Sequence, residues 1–381
     1  MNQVLLLFAL AAVVLVAVSL ADRVRVFQKL GAAATSILFA LVLSNVGLLP
    51  GQSPVYDFLM GRGVLAGIVL VLLSVNLRSI RDAGAPMLLA FAIGAAGSAV
   101  GATVMATLLR SLLGTETWKL SGQFAATYIG GGMNFAAVGQ ELGTRSDLFA
   151  AGIAADVIVT AVWLVACLTI PEFFSGRVAA RDLPPTATSG PRDGEQPGLD
   201  RLLGSSGTPM TLVDFAGLAA VTFGTMAASD TLADWVPVVP RVLWLTTLAL
   251  VLAQVPPVRR LTGGVVMGNF LLLLFLASNG AKSVIALIVE IGPAVFYFAA
   301  GTVAIHGIIL FGIGLALRMN ADLLSIASQA NVGGSTMAMA LAGSRRRLDL
   351  ILPGVIVGML GNALGNYAGI AVAHVARSVV G

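Results

Sequence analysis

The sequence predicts an all-α integral membrane protein with about ten transmembrane helices and two glycine-broken segments, arranged as two inverted repeats. Three observations lead to this fold. Apolar residues make up 57% of the 381 residues and charged residues only 10%, against about 45–50% and about 25% in soluble domains. Segments long enough to span a bilayer, about 20 residues, follow one another almost end to end. The third observation is an internal repeat with an offset of 202 residues.

The predicted spans are apolar segments separated by short polar loops. The first span has the length of a signal peptide, but its basic residues follow it, so we expect an uncleaved helix with its N-terminus outside. A stretch rich in Pro, Gly, Ser and charge predicts a hydrophilic cytoplasmic linker. The spans cover residues 3–20, 32–49, 62–76, 86–109 and 148–170, then 211–228, 241–256, 263–278, 293–317 and 351–376. The resulting domains are an N-terminal membrane repeat at 1–174, the linker at 175–210 and a C-terminal membrane repeat at 211–381.

Two further segments of membrane length are interrupted by glycines. The first, residues 121–143, contains TYIGGGMNF, and the second, residues 323–343, contains SQANVGGST. Three consecutive glycines would destabilise a continuous helix by about 3 kcal/mol relative to alanine. We therefore expect each segment to break in its middle.

These two segments are copies of one another. At the offset of 202 their double glycines coincide, and Arg145 and Asp147 align with Arg347 and Asp349. If both segments are re-entrant hairpins, each half crosses the membrane five times, the halves are inverted, and 15 of the 22 basic residues lie inside. If both segments cross the membrane, the basic residues divide 11 to 11. The positive-inside rule favours the hairpins, with both termini outside.

The broken tips are the predicted substrate site. Non-helical backbone at membrane depth occurs where it is buried in protein or lines a cavity, and broken helices of inverted repeats form the sites of secondary transporters. Their free N–H groups suit an anionic group and their free carbonyls suit a cation. The alternative, close packing through small residues, is assigned instead to Gly97, Gly101, Gly361 and Gly365. The predicted substrate-binding residues are Thr127, Tyr128, Gly130, Gly131, Gly132, Asn134, Gln329, Asn331, Gly333, Gly334, Ser335 and Thr336.

Asp156 lies among apolar residues within the span 148–170. A carboxylate at that depth is unfavourable by several kcal/mol unless it faces a cavity or a partner. We interpret Asp156 as a ligand of a coupling ion or a proton, with Asn362 and Asn366 supplying neutral oxygens. The alternative is a structural acid, either neutral or bonded to a hydroxyl such as that of Thr160.

The remaining polar features narrow the class of protein. His306 lies within another span and is interpreted either as a satisfied core histidine or as a proton relay. The sequence contains no metal-ligand cluster, ATP-binding loop or nucleophile elbow, so we expect neither an enzyme nor a metal centre, and no cofactor apart from a bound sodium ion. The basic residues lie in short loops, which indicates membrane topology and not nucleic-acid binding.

The motifs resemble those of the bacterial and plant membrane family known as domain of unknown function 819. The residues that carry the resemblance are Tyr128-Ile129-Gly130-Gly131, Asn134-Phe135, Asn331-Val332-Gly333-Gly334, Leu352-Pro353-Gly354, Gly365-Asn366-Tyr367, Ser44-Asn45-Val46-Gly47 and Ala155-Asp156. The likeness covers nearly the whole chain, although Val157 stands where the family often has Asn after the acid. The family is similar to the cation–proton antiporter and anion transporter superfamily, which includes sodium–glutamate and bile-acid symporters. This likeness implies transport coupled to sodium or protons.

The sequence therefore predicts a secondary active transporter that moves a small, anionic organic solute by alternating access, as a symporter or an antiporter. Two alternatives stay open: a channel or passive facilitator, and a non-transporting membrane scaffold or sensor. The expected partners are the lipid bilayer and a small-molecule or ion substrate, with a homodimer allowed for. The expected location is the bacterial inner (plasma) membrane, as a multi-pass protein.

Overall fold

The computed structural model describes residues 2–174, 210–283 and 285–380, and all regular elements in these ranges are helices. The predicted linker lies outside the described residues except for its last position. Eight helical stretches of the described residues, two of which combine consecutive helices, are long and apolar enough to cross a membrane. Two shorter apolar helices, Ala32–Asn45 and Arg241–Ala253, accompany them. The chain is a multi-pass membrane protein, and the crossing of these two shorter helices stays a prediction.

The first half contains eight α-helices and short stretches of π- and 3₁₀-helix. A π-helical turn, Leu59–Gly63, joins α3 to α4, and 3₁₀ turns at Leu77–Ala83 and Gly114–Glu116 precede α5 and α6. The α-helices are α1 (Gln3–Arg23), α2 (Arg25–Asn45), α3 (Pro54–Phe58), α4 (Val64–Leu72), α5 (Ala85–Leu113), α6 (Thr117–Gly130), α7 (Gly132–Glu141) and α8 (Ser146–Phe174).

The second half repeats this order, and the predicted apolar segments of both halves lie largely within helices. The predicted span 293–317 agrees with the apolar stretch Glu290–Ala316, and α13 extends it to Ile285 because the helix accommodates Pro293 in its interior. The described helices are α9 (Leu212–Trp235), α10 (Arg241–Ala253), α11 (Pro256–Arg259), α12 (Gly264–Lys282), α13 (Ile285–Ala316), α14 (Ala321–Val332), α15 (Gly334–Ser344) and α16 (Ile351–Val380), with a 3₁₀ turn at Leu348–Leu350.

The first glycine-broken segment is a helical hairpin made of α6 and α7. The helices meet at Gly131, whose φ of +87° and ψ of 172° suit glycine alone. At the other end, Lys119 Nζ donates to the Gly143 carbonyl at 2.9 Å. The beginning of α6 and the end of α7 therefore lie side by side, and the chain reverses direction within the segment.

The second glycine-broken segment is a hairpin of the same kind, made of α14 and α15. The backbone turns at Gly334, whose φ is +76°. The base is closed by ion pairs, since Arg345 Nε lies 2.9 Å from Asp322 Oδ1 and Arg347 reaches the same carboxylate at 3.2 Å. The beginning of α14 and the end of α15 therefore also lie side by side.

The internal repeat extends to side-chain geometry. Arg145 contacts both carboxylate oxygens of Asp147 at 2.9 and 3.2 Å, and Arg347 contacts those of Asp349 at 2.8 and 3.0 Å. Hydrogen bonding from Arg347 holds the pKa of Asp349 below its ordinary value. Each pair follows the second helix of its hairpin, so the sequence repeat corresponds to a repeated structural unit.

Helices related by the repeat pack against each other in opposite directions. A Cβ on Gly94 of α5 would meet His306 of α13, and a Cβ on Gly101 would lie 2.7 Å from the Thr302 carbonyl. The two helices α5 and α13 are therefore antiparallel. The contact of Gly101 with Thr302 confirms the prediction that this glycine serves close packing. The same prediction is confirmed for Gly365, where a Cβ would lie 2.9 Å from the Ala126 carbonyl.

The helices form two groups. The two hairpins pack with α5, α8, α13 and α16, and we name these helices together with the hairpins the core group. The helices α1, α2, α4 and α12 pack mainly with one another, and we name them the flanking group. A chain of aromatic rings joins the groups: Phe135 lies 5.1 Å from Phe149, which lies 5.4 Å from Phe275 of α12. Such pairs each contribute about 0.5–1.5 kcal/mol beyond area burial.

Candidate functional site

A cavity of about 360 Å³ lies where the first hairpin and α8 of the core group face α2 and α12 of the flanking group. Small-molecule sites typically measure about 300–1,000 Å³. The described lining is apolar, with residues such as Ile153 and Leu272, except for two polar side chains, Asp156 and Asn269. The cavity therefore offers an apolar body with one carboxylate and one amide.

Asp156 brings its carboxylate to this cavity from α8. Its Oδ1 is shielded from solvent and has no hydrogen-bond partner. The hydroxyls of Tyr128 and Thr160 lie close to the carboxyl without completing a hydrogen bond. The structural alternative, an acid that is neutral or bonded to a hydroxyl such as that of Thr160, stays open, while Oδ1 retains its capacity to accept.

The first hairpin presents a helix N-terminus to the same cavity. α7 begins at Gly132, and both Gly132 and Met133 line the cavity wall. The first N–H groups of a helix have no partner within it, and the helix dipole places partial positive charge at this end. The cavity thus combines a negative side chain with donors that favour negative charge.

The two hairpin tips are in contact. A Cβ on Gly131 would lie 3.9 Å from Gly334 Cα and 4.0 Å from Asn362 Oδ1. Beside them, a Cβ on Gly358 of α16 would approach Ser335 Cβ to 3.0 Å. The broken segments therefore meet each other and α16 at one place, as the prediction of a shared site requires.

Several fully buried polar side chains around the tips leave oxygen atoms unpaired. Asn134 donates to the Gly361 carbonyl at 3.3 Å and Asn331 donates to the Phe91 carbonyl at 3.2 Å, yet neither Oδ1 has a partner. Most buried polar groups in proteins are satisfied, and each unsatisfied group costs about 1–3 kcal/mol. The atoms without partners include Thr127 Oγ1, Asn134 Oδ1, Asn331 Oδ1 and both amide atoms of Gln329. A ligand that donates hydrogen bonds, or a cation, would satisfy the oxygen atoms, whereas the Gln329 Nε2 donor requires an acceptor.

The predicted site residues thus occupy different places. Of the tip residues, Gly132 lines the cavity, while Thr127, Tyr128, Asn134, Gln329 and Asn331 are fully buried within the hairpins and Thr336 is exposed. Asn362 lies at the tip contact, and Asn366 donates to Thr246 Oγ1 at 2.9 Å. Neither of these two is among the described residues that line the cavity, and their role as neutral oxygens opposite Asp156 stays a prediction.

Of the twelve described residues that line the cavity, only Gly132 and Asp156 were predicted, and Asn269 and Met133 illustrate two kinds of residue that escaped prediction. Asn269 carried a usable signal, because it is an amide within an otherwise apolar segment, as Asp156 is an acid within one. Met133 carried none, since an apolar side chain beside glycines has no distinguishing chemistry in sequence.

Comparison with known proteins agrees with the membrane architecture. The sequence model of the family described as "Protein of unknown function (DUF819)" matches residues 5–379. A protein of Bacillus subtilis (strain 168), described as the uncharacterized membrane protein YjcL, is 27% identical over 370 residues. The matched region covers 93% of this chain and 92% of that protein.

Proposed function

Because the chain belongs to the DUF819 family, whose description assigns no activity, we propose from the geometry that it is a secondary active transporter of the bacterial inner membrane. It moves a small organic solute by alternating access and is coupled to sodium or protons. The observation that carries this proposal is Asp156, an acid with an unpaired, shielded oxygen on the wall of a cavity of about 360 Å³.

The proposal includes two inverted repeats of five crossings each, with the linker in the cytoplasm. The antiparallel packing of α5 on α13 and the two hairpins with matching Arg–Asp pairs support this topology. Inverted repeats with broken helices at the site are the construction of many secondary transporters. A homodimer stays compatible with this arrangement.

The position of the cavity supports alternating access. Its walls come from both helix groups, with Asp156 and Gly132 on the core group and Leu272 and Asn269 on the flanking group. A displacement of the core group against the flanking group would therefore open and close the cavity without breaking either hairpin. Rigid-body movement of one bundle against the other is the usual basis of transport in such folds.

The charge of the cavity suggests the order of binding. An anionic solute entering beside an ionised Asp156 would be repelled, and at low dielectric like charges interact strongly. Neutralisation of Asp156 by a sodium ion or a proton removes this repulsion and leaves the N-terminus of α7 free to attract the anionic group. We infer that the ion binds first and the solute second, which favours symport.

The test combines binding and transport. Thermal stabilisation of the purified protein is measured across a library of small organic acids and neutral solutes, with sodium chloride or choline chloride. A solute that stabilises the protein more strongly in sodium, or more strongly at acidic pH, is then tested for uptake in proteoliposomes. Uphill accumulation that stops when the sodium or proton gradient collapses supports the proposal. Gradient-independent equilibration indicates a facilitator, and the absence of any binding or flux indicates a scaffold or sensor.

A further inference from the structure

His306 lies at the centre of a hydrogen-bonded chain that connects the two hairpins. Its Nδ1 is 2.8 Å from the Gly94 carbonyl and 3.0 Å from Ser98 Oγ, both on α5. Its Nε2 is 2.9 Å from Ser328 Oγ on α14 of the second hairpin. His306, Ser98 and Ser328 are fully buried, so each of these bonds forms out of contact with water.

For a neutral imidazole, the acceptors in this hydrogen-bonded chain fix which ring nitrogen carries the hydrogen. The Gly94 carbonyl can only accept, so Nδ1 carries the ring hydrogen. Ser98 Oγ lies 2.6 Å from the Tyr128 carbonyl and must donate to it, so toward Nδ1 it accepts. Nε2 is then the acceptor for the Ser328 hydroxyl, and one neutral tautomer satisfies the whole set.

Both ends of this hydrogen-bonded chain contact residues near or on α8. At one end, Trp163 Nε1 of α8 donates to Ser328 Oγ at 2.8 Å. At the other end, Tyr128 lies in the last turn of α6, and the helix break at Gly131 leaves the Tyr128 carbonyl without a helical donor. The phenol of Tyr128 faces Asp156 of α8. Asp156 and Trp163 are seven residues apart, which is about two turns on one helix face.

The hydrogen-bonded chain around His306 offers no continuous route for a proton through the imidazole. On the Nδ1 side it ends in the backbone carbonyls of Gly94 and Tyr128, which exchange no protons in proteins. On the Nε2 side, Ser328 lies beside the Trp163 indole and the Cys167 thiol, so a titratable group is present at one end only. A relay through His306 would need a titratable group at each end. The connectivity instead joins α6, α14 and α8 through one imidazole.

We propose that His306 is a positioning residue: as a neutral Nδ1–H imidazole it holds the second hairpin and Tyr128 in fixed places against α8, and so shapes the Asp156 site. The placement of the hairpins stands on hydrogen-bond geometry alone. The effect on Asp156 rests on the proposed function, and the experiments separate the two.

The first experiment reads the tautomer directly by ¹⁵N NMR of histidine-labelled protein. The chain has two histidines, so His374→Gln, at an exposed position of α16, leaves a single imidazole to observe. The expected spectrum has a protonated Nδ1 and an unprotonated Nε2, and Ser328→Ala should move the Nε2 signal. A protonated Nε2, with or without a protonated Nδ1, would overturn the proposal whatever the transport activity.

The second experiment compares His306→Asn with His306→Gln. Asn places its amide N–H near the position of Nδ1 and can still donate to Gly94, whereas Gln places its amide near Nε2 and loses that bond. The readout is the midpoint concentration at which sodium chloride, against choline chloride, stabilises the purified protein. We expect the midpoint to stay within about threefold for Asn and to rise about tenfold for Gln, the effect of one hydrogen bond.

The outcomes are distinguishable. Equal midpoints for the parent and both variants would show that His306 only fills space and would overturn the positioning role. If sodium does not stabilise even the parent, sodium coupling in the proposed function fails. The positioning role is then decided by the NMR spectrum and its response to Ser328→Ala.

Discussion

Gly131 and Gly334 face each other where the two hairpins meet, with 3.9 Å between Gly334 Cα and the place that a Cβ on Gly131 would take. Both glycines turn the backbone with positive φ, +87° and +76°. The break in one repeat thus lies against the break in the other. A shift of either tip must be accommodated by its counterpart, because packed interiors leave few voids.

The first prediction concerns this contact. Gly131→Ala should lower stability by about 1–3 kcal/mol, because φ and ψ at this residue belong to a region that only glycine adopts without strain. Gly132→Ala is the matched control, since a Cβ there meets nothing within 4 Å. Thermal unfolding of both variants in the same detergent checks the difference. Equal stabilities would mean that the backbone at Gly131 is not held in this conformation.

Much of the architecture could be predicted because glycine and charge carry strong signals in an apolar chain. In each case a glycine or a charged residue stands in an apolar segment where it is unfavourable. This signal predicted the breaks at Gly131 and Gly334, the packing of Gly101 and the depth of Asp156. The neighbours of Asp156 did not follow. A helix that is apolar on all sides gives no amphipathic signal to distinguish its protein-facing side from its lipid-facing side. Asn269 therefore stands out as an amide in an apolar segment, but its position on the same cavity as Asp156 could not be predicted.

The second prediction uses Gln329, which is fully buried with both amide atoms unpaired. Its amide lies near the Cys167 thiol, a weak hydrogen-bonding partner at best. Gln329→Met conserves size and removes the desolvated amide, so the ligand-free protein should gain about 1–3 kcal/mol. Stabilisation by a bound solute should weaken at the same time. Loss of stability in the ligand-free variant would show that the amide has a structural partner instead.

The third prediction concerns the base of the second hairpin. Arg345 joins Asp322 at 2.9 Å, Glu172 at 3.2 Å and the Leu168 carbonyl at 3.2 Å, and so ties the hairpin to the end of α8. Arg345→Ala should therefore destabilise the protein by about 1.5–3 kcal/mol, the range for hydrogen bonds to charged groups. Arg346→Ala is the matched control because Arg346 is exposed. Proteolysis and thermal unfolding of both variants measure the effect, and identical behaviour would contradict the predicted tie.

The fourth prediction concerns orientation. In a Cys167→Ala background, a cysteine at Val238, which is 91% exposed between α9 and α10, should react with a membrane-impermeant maleimide added to intact cells. A cysteine at Ser189, in the predicted cytoplasmic linker, should react only after the cells are opened. The basis is the distribution of basic residues, 15 inside against 7 outside. The reverse labelling pattern would invert the proposed topology.

The last prediction is that Asp156 couples ion binding to transport. Asp156→Asn keeps the shape of the side chain and removes its charge. Because Oδ1 of Asp156 has no partner, and the hydroxyls beside the carboxyl can also donate to an amide oxygen, folding and membrane insertion should survive with stability within about 1 kcal/mol of the parent. A neutral amide cannot exchange a cation for a proton, however, so the free energy of the ion gradient can no longer drive the solute. Solute binding should persist and uphill accumulation in proteoliposomes should be abolished, while exchange at equal concentrations on both sides continues. Glu290→Gln removes one negative charge from an exposed position of α13 and should leave accumulation unchanged. If Asp156→Asn concentrates the solute as well as the parent under the same gradient, Asp156 is a structural acid and the coupling site lies elsewhere.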